Sequence, residues 1–374
     1  MVEVNILSSL KPTTVIFSPM VGDYKMQADS QIFEISTQDL AYLTAENGKI
    51  RVKTLEGEQG HFSILKITAA VDGSCFKLKP VVPYGRMRAY DDDLEVSVVN
   101  NHLSLLNRVE MDKYVAGVVK SEVGPEAHKE FYKVQSIICR TYAMSNFRRH
   151  ELESFQLCDQ VHCQVYGGKC TEVDPSSGLR YPRIGDIVVA ATATSNIVIV
   201  DHDLELIEAA FHANCGGHTV NSEDAWTQHK SYLRGVKDTF CIAGRNFSWE
   251  KTVGKAKWLN YLDSKYSYPV GDGEERAAAL GFSQPERLVY YCGREEIPLK
   301  RIRKDWRLSS GFFSISDRGD QLVLSGWGYG HGVGLCQQGA MEMAKAGIAY
   351  KEMLLRYYTN ISLIDMASLQ YLLK

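Results

Sequence analysis

The fold is decided between residues 107 and 166, where two segments stand out: Asn107-Arg-Val-Glu-Met-Asp-Lys-Tyr-Val-Ala-Gly-Val-Val-Lys-Ser-Glu122 and Cys158-Asp-Gln-Val-His-Cys-Gln-Val-Tyr166. The first is an apolar run that ends at Glu122. A carboxyl group at the edge of an apolar helix has its pKa raised by desolvation, which suits it to donate a proton at neutral pH. The second offers thiol and imidazole groups within a few residues, and these are ligands of structural Zn²⁺. Together the segments predict acid-catalysed cleavage on a metal-braced scaffold.

The composition is that of an ordinary globular protein. The chain has 374 residues, of which 45% are hydrophobic, and a formal net charge of −3. Its length favours two domains, or one core with an elaborated partner. The charge gives no electrostatic basis for binding nucleic acid or an anionic membrane. No apolar run approaches the roughly 20 residues of a membrane helix. Met1-Val-Glu-Val-Asn5 has no basic or long apolar region, so no signal peptide is predicted.

Residues 1–100 are predicted to be rich in β-strands. Short runs of β-branched residues alternate with polar ones between turn residues. The predicted strands are residues 13–17, 50–53, 62–67, 76–82 and 94–99. Asn47-Gly48 and Asp72-Gly73 are typical of hairpin turns.

From Glu110 the apolar period becomes helical. One helix is predicted to end near Glu122, and a second to open at Pro125 and run to about Phe147. Gly185–Thr194 fits a helix or a buried strand equally well. Further helices are predicted at residues 255–266, 337–346 and 350–358, and strands at 312–315 and 321–324. The predicted class is α+β: mixed helices and antiparallel strands forming a grooved catalytic core over residues 101–374, with a β-rich region over residues 1–100 before it and an insertion at about 245–300.

A metal site is predicted where possible ligands cluster. Four of them, His150, Cys158, His162 and Cys163, fall within fourteen positions. Closure by four protein ligands makes such a zinc structural rather than catalytic. Cys170 is an alternative ligand. The nine cysteines are otherwise scattered through a chain long enough to fold without disulfides.

Several motifs, taken in order, resemble the SpoIID/LytB family, also called stage II sporulation protein D. They include the two opening segments and Gln135-Ser-Ile-Ile-Cys-Arg-Thr-Tyr-Ala143. The remaining ones are His212-Ala-Asn-Cys-Gly-Gly-His-Thr219, Ser222-Glu-Asp-Ala-Trp226, and Gly326-Trp-Gly-Tyr-Gly-His-Gly-Val-Gly-Leu-Cys-Gln-Gln-Gly-Ala340. The resemblance runs from about Leu94 to Tyr358. It implies an extracytoplasmic protein of the cell envelope with peptidoglycan glycan strands as its partner.

The resemblance also implies a reaction. Glu122 matches the family's single catalytic glutamate, which would protonate the glycosidic oxygen between N-acetylmuramic acid and N-acetylglucosamine. It would then act as base toward the muramoyl 6-hydroxyl, which attacks the anomeric carbon and forms a 1,6-anhydro ring. One carboxyl suffices because the substrate supplies the nucleophile, whereas ordinary glycosidases use two.

The substrate groove is predicted from residues that follow the cysteine–histidine cluster and from the glycine-rich segments. The predicted substrate-binding residues are Arg140, Gln164, Tyr166, Gly216, Gly217, Glu223, Trp327, Tyr329, His331 and Gln337. Glycines are expected where the chain bends sharply or approaches a ligand closely. The aromatic residues are expected to pack on sugar rings.

Alternatives stay open at this level. The chain can instead be a non-catalytic, amidase-enhancer-like module that binds glycan or a cell-wall amidase. A weaker alternative is a zinc hydrolase that uses His212, His218 and His331. Cys215 and Cys336 depart from the family, which usually carries small hydroxyl residues in the first glycine-rich segment. They fit a disulfide, an extended metal site or simple volume filling.

Overall fold

The computed structural model describes residues 1–180, 184–226 and 228–368. Two compact units share them. The first holds residues 1–199 and 206–208 with the described residues from Leu363 onward, and the second holds residues 200–205 and 209–362. The predicted boundary near residue 100 therefore lies inside the first unit, where one apolar core runs from Val2 to Ala191.

The β-rich N-terminal region is confirmed. Its strands are β1 Val2–Asn5, β2 Thr14–Val21, β3 Tyr24–Ala28, β4 Gln31–Ile35, β5 Ala41–Glu46, β6 Lys49–Thr54, β7 Gly57–Phe62, β8 Ile64–Ala69, β9 Cys75–Val82, β10 Arg88–Asp91, β11 Asp93–Val99 and β12 His102–Val109. A later strand, β13 Leu157–Cys158, pairs in parallel with β1. The strands form a seven-stranded sheet in the order β13-β1-β12-β11-β8-β3-β4 and a six-stranded sheet in the order β10-β9-β2-β5-β6-β7.

Alternation explains why these strands form. Along β12 every second residue is buried, so one face lies on the core. Asn47 and Gly48 both have positive φ and connect the paired strands β5 and β6, as a hairpin turn requires. The hairpin prediction at Asp72-Gly73 is wrong: this turn joins β8 to β9, which lie in different sheets.

Three helices complete the first unit: α1 Met111–Val123, α2 Lys129–Ser145 and α3 Gly185–Ala193. The prediction that Pro125 opens the second helix is wrong by four residues. Gly124, at φ +80°, ends α1, and α2 begins after His128, whose side chain accepts the backbone N–H of Glu130. Gly185–Ala193 is a helix, which settles the ambiguity left by its periodicity.

The second unit contains short strands and six helices within the described residues. Two strands, β14 Ile197–Val200 and β20 Ser362–Asp365, each have three of their four residues in the first unit. Between them come the elements of the second unit: β15 Phe211–His212, α4 Ser222–Ala225, β16 Ser248–Gly254, α5 Lys255–Tyr266, α6 Gly273–Leu280, α7 Leu299–Asp305, β17 Phe313–Arg318, β18 Gln321–Trp327, β19 Leu335–Cys336, α8 Gln337–Lys345 and α9 Tyr350–Tyr357. The sheets of the second unit are β16-β18-β17 and β15-β19, and β14 pairs with β20. The predicted helices near 255–266, 337–346 and 350–358 are confirmed, as are the predicted strands at 312–315 and 321–324. Among the helices of the described ranges, none has the length and apolar character that a bilayer crossing requires.

Candidate functional site

Glu122 lies in the last turn of α1, where the helix leaves the apolar core. Its carboxylate Oε1 accepts a hydrogen bond from the backbone N–H of Val165 at 3.3 Å. Burial raises the pKa of Glu122 above its ordinary value, and the Val165 hydrogen bond only partly opposes this effect. A partly buried carboxyl group with a raised pKa keeps its proton to higher pH, which is the property a general acid needs.

The segment that contacts Glu122 is fixed on one face of α1. The backbone N–H of Gly167 donates to Ser121 Oγ at 3.0 Å, and Lys120 Nζ donates to the carbonyl of Lys169 at 3.1 Å. Gly117 permits this contact, because a Cβ there would lie 2.5 Å from a ring carbon of Tyr166. The position of the Val165 amide is thus set by several contacts along the helix.

Gln164 and Tyr166 flank this amide and are both buried. Tyr166 is completely enclosed, and its hydroxyl donates to Asn107 Oδ1 at 3.2 Å. Tyr114 donates to Gln164 Oε1 at 3.3 Å, while Gln164 Nε2 is buried without a partner in the described part of the chain. Direct sugar contact was predicted for both; the structure instead makes Tyr166 a support of the segment, because its ring and its hydroxyl are already engaged.

Arg140 also has a structural position rather than the predicted place in a substrate groove. It is fully buried on α2. Its guanidinium donates to Asp112 Oδ1 at 2.7 Å and to the carbonyls of Ala191 and Thr194 at 3.0 and 2.7 Å. These carbonyls belong to the C-terminal end of α3, which lacks intrahelical donors. Arg140 therefore ties the three helices of the first unit together.

The predicted metal ligands come together. His150, Cys158, His162 and Cys163 each present a ligand atom, and these atoms lie within 4.8 Å of one another. His150 Nε2 lies 3.3 Å from Cys163 Sγ. A tetrahedral ion with Zn–S and Zn–N bonds of about 2.0–2.3 Å needs ligand separations of this size. The donor set therefore fits a structural zinc.

The surroundings of this group also suit a metal. His150 Nδ1 lies 2.7 Å from Glu153 Oε1, an arrangement in which a carboxylate orients a ligating imidazole. The backbone N–H of Cys158 donates to Cys163 Sγ at 3.4 Å. Cys170 lies outside the group, with its thiol 3.7 Å from the carbonyl of Ile184.

In the second unit the two glycine-rich segments lie against each other. Asn214 and Tyr329 exchange two backbone hydrogen bonds, of 3.1 and 2.8 Å. Gly216 and Gly328 have φ of +73° and +80°, and a Cβ on either would lie within 3.0 Å of the opposite backbone. These glycines therefore allow the two segments to approach each other closely, and their role is not limited to contact with a ligand. Gly217 has φ +103° and open space beside it.

The aromatic residues of the second segment have different exposures. Tyr329 is half exposed, at 52%. Trp327 is partly exposed and packs on Phe312 with ring centroids 5.0 Å apart. Gln337 is partly exposed at the start of α8, whereas Gln338 Oε1 accepts the side chain of Asn214 at 2.8 Å. Gln338, which was not predicted as a site residue, is the glutamine that holds the segments.

His331 is held in one neutral form. Its Nδ1 accepts the backbone N–H of Val333 at 3.0 Å, and its Nε2 lies 2.9 Å from the carbonyl of Phe211. Burial, reinforced by nearby arginines, lowers the pKa of His331 to about 4. Because both ring nitrogens are engaged, His331 has only its ring face left to contact a ligand. The ring packs against Trp226 at 5.3 Å.

His331 lines a pocket of about 160 Å³ that is rich in cations. Arg287, Lys300 and Arg303 line it, with Asp224 as the carboxylate among its lining residues. Arg287 Nη1 is enclosed and has no hydrogen-bond partner among the described residues. Burial lowers the pKa of Arg287 to about 10 and also lowers that of Arg303. Sequence reasoning missed these cations because none lies in a recognisable motif.

Glu223 does not line this pocket, and its carboxylate is already paired. It accepts two hydrogen bonds from Arg234, at 2.7 and 2.5 Å, and this pairing holds the pKa of Glu223 well below its ordinary value. The predicted role in substrate binding would require the pair to open. The alternative zinc hydrolase also lacks support, since His212, His218 and His331 form no ligand group within the described ranges.

Comparison with known proteins finds matches to one family. Residues 99–200 match the family model SpoIID, described as Stage II sporulation protein. The chain is 28% identical over 277 residues to stage II sporulation protein D of Bacillus subtilis (strain 168), which covers 72% of this chain and 79% of that protein. It is 24% identical over 368 residues to an uncharacterized protein of Brachyspira hyodysenteriae, covering 97% and 93%. The amidase enhancer of B. subtilis is 22% identical over 301 residues, covering 66% of this chain and 40% of that protein.

These matches support the SpoIID family for this chain, as its sequence motifs predict. The matched residues 99–200 include α1, α2 and the cysteine–histidine cluster. Glu122 and the four predicted metal ligands therefore all lie inside the matched range.

Proposed function

We propose that this protein acts on the cell wall as a peptidoglycan lytic transglycosylase, with Glu122 as its acid and base. Protonated Glu122 would give its proton to the oxygen between N-acetylmuramic acid and N-acetylglucosamine as the glycosidic bond breaks. The muramoyl 6-hydroxyl would then attack the anomeric carbon and return a proton to Glu122. The product would carry a 1,6-anhydro ring, and no water would be consumed.

The environment of Glu122 carries this proposal. In the described part of the chain, burial and the Val165 amide are the influences on the pKa of Glu122, and no second carboxylate is among them. A single desolvated carboxyl group fits a reaction in which the nucleophile belongs to the substrate.

The cysteine–histidine cluster is proposed to hold one structural Zn²⁺ through His150, Cys158, His162 and Cys163. Such an ion would fix the chain at Cys163, two residues before the amide that contacts Glu122. With four protein ligands it would leave no open position for substrate. Its contribution would be to position the acid, not to take part in the reaction.

The cationic pocket of the second unit is proposed to bind a carboxylate of the glycan strand. Muramic acid that has lost its stem peptide carries a free lactyl carboxylate, and three cations around one carboxylate leave the pocket with a positive excess. Trp226 and His331 offer ring faces beside these cations. The pocket therefore combines an anion site with surfaces that can pack on a pyranose ring.

A second candidate function follows from the amidase enhancer match. The chain would then bind glycan, or a cell-wall amidase, without cleaving the strand. Both candidates place the protein outside the cytoplasm, where peptidoglycan lies. They differ in whether Glu122 transfers a proton.

Mass spectrometry of purified glycan strands after incubation with the protein distinguishes the two. A transglycosylase gives 1,6-anhydro-muramoyl ends, and Glu122→Gln abolishes them while glycan binding persists. Unchanged strands that co-sediment with the protein would instead support the binding module. Reducing ends without anhydro sugars would indicate a hydrolase and overturn the proposal.

A further inference from the structure

A second group of potential metal ligands lies in the core of the second unit. Its members are Cys215, Asp238, Cys241 and Cys336, which we call the Cys₃Asp group. All four residues are fully buried, and their ligand atoms lie within 4.8 Å of one another. Sequence spacing does not reveal the group, because Cys215 and Cys336 are 121 positions apart.

We propose that the Cys₃Asp group is a second structural metal site that takes Zn²⁺. This site is separate from the cysteine–histidine cluster and does not depend on the proposed catalytic function. Three thiolates and one carboxylate form a closed tetrahedral donor set for zinc. The carboxylate disfavours a soft ion such as Cu(I), which selects thiolate and thioether ligands.

The distances agree with ligands around one ion. Cys215 Sγ lies 3.4 Å from Cys241 Sγ and 3.4 Å from Asp238 Oδ2. Tetrahedral Zn–S bonds of about 2.3 Å place two sulfurs roughly 3.8 Å apart. A disulfide would require about 2.05 Å between the sulfurs. The observed separation is therefore much closer to that of two ligands than to that of a bonded pair.

The buried carboxylate of Asp238 is a second and independent argument. Among the described residues Asp238 has no lysine, arginine or histidine within ion-pairing distance, although it is completely enclosed. An ionised carboxylate in a dry interior is costly unless a cation accompanies it. A divalent ion among the four ligands would supply that charge.

Hydrogen bonds from neighbouring groups hold the side chains of the Cys₃Asp group in position, as hydrogen bonds to the ligands of a metal site do. Tyr357 donates its hydroxyl to Asp238 Oδ2 at 2.9 Å, and the backbone N–H of Phe240 donates to Oδ1 at 2.9 Å. The N–H groups of Cys215 and Gly339 donate to Cys336 Sγ at 3.3 and 3.4 Å.

The site would brace the glycine-rich segments. Cys215 immediately precedes Gly216, and Cys336 ends β19 and caps α8. Asp238 and Cys241 come from the connection between them. One ion in the core of the second unit would therefore hold together the two glycine-rich segments, which meet at Asn214 and Tyr329.

Elemental analysis of the full chain, purified without chelators, tests the proposal. We expect about two zinc ions per chain, one for each closed ligand set. Cys241→Ser should remove one ion and Cys158→Ser the other. Cys292→Ser is the control, because Cys292 belongs to neither group, and it should leave the metal content unchanged.

Alkylation of the wild-type protein supplies a readout that does not depend on a variant folding. The denatured, unreduced chain with its metal removed should expose nine thiols, the full cysteine count. Seven thiols, with a peptide that joins two of Cys215, Cys241 and Cys336, would show a disulfide and overturn the proposal. One zinc per wild-type chain that is retained in Cys241→Ser would overturn it as well.

Discussion

Glu122 Oε1 and the backbone nitrogen of Val165 lie 3.3 Å apart, and Val165 is two residues beyond the metal-ligand candidate Cys163. The end of α1 and the cysteine–histidine cluster are therefore parts of one arrangement. Burial alone raises the pKa of Glu122, while the Val165 amide fixes where the carboxyl group points. Changes to the cluster should consequently alter catalysis without touching substrate.

Glu122→Gln should abolish the formation of 1,6-anhydro product, because an amide of the same shape cannot deliver the proton. Its circular dichroism and glycan binding should match those of the wild type. Glu126→Gln is the matched control, since Glu126 is exposed just beyond the end of the same helix. Wild-type turnover by Glu122→Gln would remove Glu122 from the mechanism.

The raised pKa of Glu122 predicts two pH effects. Activity should fall as the pH rises through this pKa, so its basic limb should lie above the ordinary glutamate value of about 4.3. The stability of the fold should also fall with rising pH. The folded state binds the Glu122 proton more tightly than the unfolded state does. The stabilisation from this proton is therefore fully present below the unfolded pKa and is lost as the pH rises through the folded pKa. Urea unfolding across this range should show Glu122→Gln gaining stability relative to the wild type as the pH increases.

Cys158→Ser should lower both the zinc content and the melting temperature, because metal binding contributes to folding. Some activity should remain, since no proposed ligand touches substrate. The turnover number should fall more than glycan affinity does, because Val165 lies close to the cluster in sequence. Calorimetry with metal analysis and single-turnover kinetics measure these effects. A variant that has lost zinc yet keeps wild-type stability would argue against a structural metal.

The features predicted from the sequence are those encoded locally. Glu122 ends a run with helical period, and three of the four proposed zinc ligands lie within residues 158–163. The Cys₃Asp group and the cations around Arg287 could not be found in this way, because the fold collects them from distant segments. Arg140 and Tyr166 lie in recognisable motifs, and the sequence predicted that both bind substrate. The motifs do not show that both side chains are buried and already hydrogen-bonded to other protein groups.

Arg140→Met should destabilise the first unit by about 3–5 kcal/mol, because it leaves Asp112 and the end of α3 without their buried donor. Arg180→Met is the control: Arg180 is an exposed partner of Glu172, and its loss should cost less than about 1 kcal/mol. Chemical denaturation of both variants measures the difference. Equal, small losses would restore Arg140 as a candidate for substrate contact.

Arg287→Met should weaken binding of muramic-acid-containing strands about ten- to hundredfold, the equivalent of about 1.5–3 kcal/mol for a hydrogen bond to a charged group. The Arg287 guanidinium lies over the Phe312 ring, 5.7 Å from its centroid, and methionine keeps an apolar side chain of similar length at this position. Arg294→Met, which removes a cation paired with Glu275 outside the pocket, should bind normally. Isothermal titration with strands whose lactyl carboxylates are methyl esters supplies the second arm. Esterification should reduce the affinity of the wild type more than it reduces the affinity of Arg287→Met. If the two reductions are equal, Arg287 does not bind the lactyl carboxylate.

Gly328→Ala should disrupt the contact between the two glycine-rich segments. An alanine Cβ there would lie 2.7 Å from the carbonyl oxygen of Asn214 and 2.9 Å from the backbone of Cys215, so the segments would have to separate. Gly319→Ala is the matched control, because Gly319 has a similar φ of +76° but nothing within 4 Å of its Cβ position. Both variants carry the backbone cost of about 1–2 kcal/mol for a left-handed alanine.

Only Gly328→Ala adds the steric term, about 1–3 kcal/mol for overpacking. Its excess destabilisation should be accompanied by loss of glycan binding, because Tyr329 and Gly330 follow directly in the chain and Gly330 lines the cationic pocket. Unfolding by urea and binding by titration, both on the full chain, separate the two effects. Equal destabilisation of the two variants would show that the segments tolerate separation, and the close contact at Asn214 would then not be what shapes the pocket.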